Sequence, residues 1–155
     1  MKFIHGLLII GSISSVQAQV IGTTKKISET SFCLKHRCQY IKVDRFEEYE
    51  NWTYYISPSL NFDIFRQNIY PKSVAYLIRA RILGNTVKPT DLSLVSELTK
   101  TGIGVNIPAE YFKKCFTAKS EVTLYKSAGV EGYDFVRCKR IDSTEVEVTL
   151  GTYGP

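Results

Sequence analysis

Trp52-Thr53-Tyr54-Tyr55-Ile56-Ser57-Pro58-Ser59-Leu60-Asn61-Phe62-Asp63-Ile64-Phe65-Arg66-Gln67 is the stretch that decides the fold class. Leu60, Phe62 and Ile64 alternate with Asn61 and Asp63, which is the period of a strand with one buried and one wet face. Trp52 to Ile56 is aromatic and β-branched, and Ser57-Pro58-Ser59 supplies turn chemistry between the two runs. A β-hairpin is predicted here.

Downstream, Val74 to Leu83 fits two periods. As a helix it buries Val74, Leu77, Ile78 and Ile82 but places Arg81 inside the apolar stripe. As a strand it puts Val74, Tyr76, Ile78, Ala80 and Ile82 on one side and both Arg79 and Arg81 on the other, so the strand is preferred. Leu92 to Lys100 is undecided, because Leu94, Val95 and Leu98 suit a helix while Leu92, Leu94 and Leu98 suit a strand. Asn106, Pro108 and Glu110 read as a helix start, and Ala109, Phe112, Cys115 and Phe116 then fall on one face. A short helix is expected over 108–117. The rest reads as a meander: Glu121 to Lys126, Tyr133 to Arg140 and Thr144 to Leu150, the last with Val146, Val148 and Leu150 inward.

Upstream, Tyr40 to Val43 is a short strand-like run followed by an acidic loop with Glu47, Glu48 and Glu50. Gln19 to Thr30 is polar and unpatterned and reads as a leader strand or loose terminus. Residues 1–18 read as a secretory signal, with Lys2, an apolar run through Ile10, and Val16 and Ala18 in the small positions before a cut. That apolar run is far short of the roughly 20 residues a membrane span requires, and no later stretch is apolar enough to cross. Cleavage after Ala18 removes Met1, Lys2 and His5. The formal charge then falls from +5 to +4, and His36 remains as the sole histidine.

Export to an oxidising compartment makes disulfides the default for Cys33, Cys38, Cys115 and Cys138. Of the three possible connectivities, Cys33–Cys38 and Cys115–Cys138 keep each pair within one neighbourhood of the chain. The second pair would pin the expected helix to the strand carrying Val136 and Cys138. Lys35, His36 and Arg37 would favour a thiolate at the first pair, but the spacing is not C-x-x-C. A zinc site there lacks a fourth ligand. The reading is a structural clasp on a basic turn.

The 155-residue chain therefore divides into a signal peptide at 1–18, a polar leader at 19–30 and one β-rich domain at 31–155. The class is α+β and β-rich: a mostly antiparallel sheet with one or two short helices, braced by two disulfides. Catalytic parts are scarce. No G-x-S-x-G elbow accompanies the single histidine, and Lys100-Thr101-Gly102-Ile103-Gly104 has the wrong order for a phosphate loop. No cofactor is implied. A carboxylate pair drawn from Glu48, Glu50, Asp63, Glu110 and Asp134 is conceivable, but nothing in the order of residues brings them together. Asn51-Trp52-Thr53 matches a glycosylation sequon.

Binding surfaces are better represented. Trp52, Tyr54 and Tyr55 cluster beside the acidic loop, and such rings offer rigid contact area with a polar tip. Arg79, Arg81, Arg137 and Lys139 would form a positive patch if they share a wet sheet face. A charge of +4 is too mild for a dedicated nucleic-acid groove. The expected function is a small secreted or periplasmic binding or structural domain, without enzymatic activity, whose partner is a protein or an envelope component. The alternatives are a secreted hydrolase using a carboxylate pair and an inhibitor or effector presenting the Cys33–Cys38 loop. The oligomeric state is left open.

Overall fold

A computed structural model describes residues 19–69, 71–129 and 132–154. The expected signal lies outside the described residues. Seven strands form one antiparallel sheet: β1 (Gln39–Arg45), β2 (Tyr49–Ser57), β3 (Leu60–Ile69), β4 (Lys72–Leu83), β5 (Val122–Lys126), β6 (Tyr133–Arg140) and β7 (Glu145–Tyr153). Their spatial order is β1-β2-β3-β4-β7-β6-β5. Two meanders thus meet where β4 pairs with β7, and Ile78, Ala80 and Ile82 lie opposite Leu150, Val148 and Val146. The predicted hairpin is β2–β3, with Trp52 opposite Ile64 and Tyr54 opposite Phe62.

Alternation gives the sheet one apolar face, which three helices cover: α1 (Ser31–His36), α2 (Pro89–Ile103) and α3 (Lys113–Thr117). The undecided run belongs to α2. Pro89 opens it, Gly104 at φ 76° closes it, and Leu92, Val95 and Leu98 are buried at helical spacing. At 15 residues α2 is longer than the short helices expected. It sits close on the sheet because Gly102 has no side chain: a Cβ there would collide with the Leu150 side chain. The helix expected over 108–117 is broken into a 3-10 turn at Ala109–Phe112 and then α3. No side chain caps it at Pro108, and its first turn is the tighter 3-10 form common at helix ends. Phe112 and Cys115 still point inward.

Three further expectations need correction. The clasp is a helix, α1, rather than a basic turn. Thr30 caps it by accepting from the Cys33 N–H, and Arg37 ends it in the left-handed conformation. In β4, a bulge opposite Phe65 and Arg66 resets the alternation, so Ala75 faces the core and Val74 and Tyr76 do not join Ile78. The leader is neither loose nor a strand. The Val20 and Ile21 N–H groups donate to Gly102 at the end of α2, the Gly22 N–H donates to Ala75 of β4, and Val20, Ile21 and Ile27 are buried. Three apolar residues in twelve are too sparse to show a period, yet enough to fill gaps in a layer.

Both outer strands are bulged, β1 at Ile41 and β5 at Leu124. Such irregularities blunt a sheet edge against pairing with other chains.

Candidate functional site

Both expected disulfides are present. Cys33–Cys38 closes α1, and Cys115–Cys138 ties α3 to β6. No described residue contains a free thiol. The clasp packs through one side only: Phe32 and Cys33 are buried, and Lys35 and His36 bind Glu97 of α2 at 3.1 and 2.9 Å, while Leu34 and Arg37 are exposed. Partial burial pushes the Glu97 carboxyl up, but the hydrogen bonds and charges of His36 and Lys35 outweigh it and hold the group below its ordinary range. Ser93 lines the shallow recess beside this pair. Its hydroxyl donates to the Pro89 carbonyl at 3.0 Å, a bond that does not prepare a nucleophile.

Strand alternation splits the aromatic cluster. Tyr55 turns to the uncovered face of the sheet, while Trp52 and Tyr54 face the helical side. The four basic residues do share the uncovered face: Arg79 and Arg137 both lie opposite Thr149, and Arg81 and Lys139 both lie opposite Glu147. They do not form a free positive patch. Arg81 binds Asp63, Arg79 and Lys139 both approach Glu147 at 3.5 Å, and Arg137 approaches Glu121 at 3.4 Å. Arg79 and Arg137 also lie over the Phe65 and Phe135 rings. Asp63, only 1% exposed, accepts from Thr53 as well. Asn51 of the sequon is half-buried within β2, also on this face.

The candidate acids are dispersed. Asp63 is on the uncovered face, Glu50 is on the helical side and Glu110 is in the 3-10 turn. Asp134 lies on β6, four strand spacings from β2 and so on the order of 19 Å away. No group of three His, Cys, Asp or Glu among the described residues is placed to hold a metal ion.

Trp52 and Tyr54 instead wall a cavity of about 330 Å³ between the N-terminal segment and strands β2, β3 and β4. Ile27 and Ile64 complete its apolar lining, and Thr24, Lys26, Glu50, Arg66, Lys72 and Ser73 supply its polar parts. The Trp52 indole N–H donates to Glu50 at 2.9 Å, and Glu50 also accepts from Arg45 at 3.2 Å. Tyr54 stacks on Phe62 with ring centres 5.3 Å apart, and burial pushes its phenol above the usual value.

Arg66 on β3 lies beside Glu50, its cross-strand partner on β2. Its guanidinium donates to the carbonyls of Thr24, Lys25 and Ser73 and to the Ser73 hydroxyl, which stitches the N-terminal segment to β3 and β4. Burial draws its pKa down from the usual value, and the Glu50 charge draws it back up. Sequence reasoning missed Arg66, Lys26 and Lys72. Arg66 was legible: it continues the inward series Leu60, Phe62, Ile64, and a cation at an inward position demands polar partners. Lys26 and Lys72 carried no such signal.

No known protein family, curated protein or solved structure matches the chain. Among the described residues no helix is long and apolar enough to cross a membrane.

Proposed function

We propose that this chain is a secreted binding domain without enzymatic activity, and that its ligand, an envelope component or a segment of a protein partner, is held at the Trp52–Tyr54 cavity. One observation carries the reading: a cavity within the size range of ligand sites, apolar in its walls with a few fixed polar groups. Two disulfides and a leader of signal type support export. The paired charges of the uncovered face argue against nucleic acid as the partner. The dispersal of Asp63, Glu50, Glu110 and Asp134 and the burial of Phe32 and Cys33 in α1 support this reading over a hydrolase or an inhibitor.

Trp52 is the only tryptophan in the chain, so its emission reports on the cavity alone. Titration of the disulfide-bonded protein with the uncharged apolar probe N-phenylnaphthylamine should change that emission saturably. Thr24→Phe, which places a ring at the cavity wall while leaving the Thr24 carbonyl bond to Arg66, should abolish the change. An emission that stays flat, or that responds equally in Thr24→Phe, overturns the reading.

A further inference from the structure

The charges around the cavity define the class of ligand, an inference that rests on the binding reading above. Three cations line it: Lys26, Arg66 and Lys72. Neither Lys26 nor Lys72 takes part in an ion pair among the described residues. The acceptors around Arg66 are carbonyls and a hydroxyl, which satisfy its N–H groups but do not cancel its charge. The single anion, Glu50, is already engaged by Arg45 and by the Trp52 indole. The cavity therefore carries an excess of positive charge beside an aromatic and aliphatic wall.

On the uncovered face Arg79, Arg81, Arg137 and Lys139 each have a carboxylate neighbour, and Lys126 lies over the Tyr133 ring. Other unpaired cations lie on the surface, but at the cavity three of them stand together beside an apolar wall. We propose that the cavity binds a compact anionic amphiphile: a single molecule with a flat or branched apolar body lodged against Trp52, Tyr54, Ile27 and Ile64, and one carboxylate, sulfate or phosphate group at Lys26 and Lys72. The volume, near the lower end of the range for ligand sites, fits one such molecule rather than a long-chain lipid.

Two probes of nearly the same shape isolate the anionic group. Anilinonaphthalene sulfonate differs from N-phenylnaphthylamine by one sulfonate, and both are read through Trp52 emission. The sulfonate probe should bind roughly tenfold more tightly at low salt, and added salt should erase most of that advantage while leaving the neutral probe unaffected. In the double variant Lys26→Gln/Lys72→Gln, the ratio of sulfonate-probe to neutral-probe affinity should fall to near unity. Both substitutions are at exposed positions, and an unchanged urea midpoint checks that the fold is kept. Equal affinity for the two probes, or a preference that survives the double substitution, overturns the anionic class while leaving the binding reading standing. Failure of both probes overturns the binding reading itself.

Discussion

The covered face of the sheet is finished differently at its two ends. Over β6, the five-residue helix α3 is held by the Cys115–Cys138 bond, and Phe112, Cys115 and Val136 beneath it are fully buried. Over β2, the cover is the N-terminal segment, which has no covalent tie and is held by the Arg66 guanidinium against its Thr24 and Lys25 carbonyls and by its own N–H bonds to α2 and β4. There Trp52 stays half-buried, Tyr40 is about half exposed, and the cavity remains. A crosslink lets a very short helix close a core completely. A clamp of hydrogen bonds leaves the layer ajar and keeps a charged group inside it.

The largest expected effect breaks the closed end. Cys115→Ala/Cys138→Ala removes a crosslink across 23 residues and should cost about 3 kcal/mol. Cys33→Ala/Cys38→Ala, across 5 residues, should cost about 2 kcal/mol. Urea midpoints at constant slope check both values. If the shorter loop proves the costlier to lose, the entropic account of the closed end is wrong.

An intermediate effect breaks the open end. Arg66→Met keeps the length of the side chain but strands the Thr24, Lys25 and Ser73 carbonyls, and should cost about 2 kcal/mol. The sharper readout is local. Hydrogen exchange at Gly22 and Ala75, whose N–H groups join the N-terminal segment to β4, should accelerate while exchange in β6 and β7 does not. Uniform acceleration across the sheet would mean that Arg66 supports the whole fold and not one corner.

The smallest effect lies between the two ends, where α1 meets α2. Glu97 has a folded-state pKa below its ordinary value of 4.5. Its contribution is therefore fully present above that value and is lost as pH falls through the lower folded value. Its side chain is 34% exposed, so solvent screening limits the contribution to about half a kcal/mol. Glu97→Gln should be less stable than the parent at pH 6, and the difference should shrink as the pH is lowered below 4.5, by thermal midpoints. A difference that persists in acid would assign the effect to packing instead of charge.

Much of this was legible because strands and disulfides leave local marks. The β2–β3 hairpin, the final meander and the shared face of Arg79 and Arg81 follow from a period of two. The cysteine pairs follow from proximity along the chain. Where sequence reading stalled or slipped, the deciding term was nonlocal. Leu94, Val95 and Leu98 suit a helix and Leu92, Leu94 and Leu98 a strand, and only the apolar face offered by β4 and β7 chooses the helix. The bulge in β4 shifts Val74 and Tyr76 without any glycine or proline to announce it. The pairing of Arg81 with Asp63 and of Lys139 with Glu147 required strand neighbours that are distant in the sequence.

The site divides in the same way. Trp52 and Tyr54 were marked as a candidate surface by residue type, and alternation alone separates them from Tyr55. That they wall a cavity was decided by what fails to cover them. By itself the sequence determined the strand periods, the disulfide framework and the scarcity of catalytic parts, because each depends on residue types a few positions apart. Only the tertiary structure decided that β7 returns beside β4, that a polar leader packs as part of the core layer, and that Lys26, Arg66 and Lys72 gather around one apolar hollow. Those outcomes depend on contacts between residues tens of positions apart, whose energies are set by burial and charge in three dimensions.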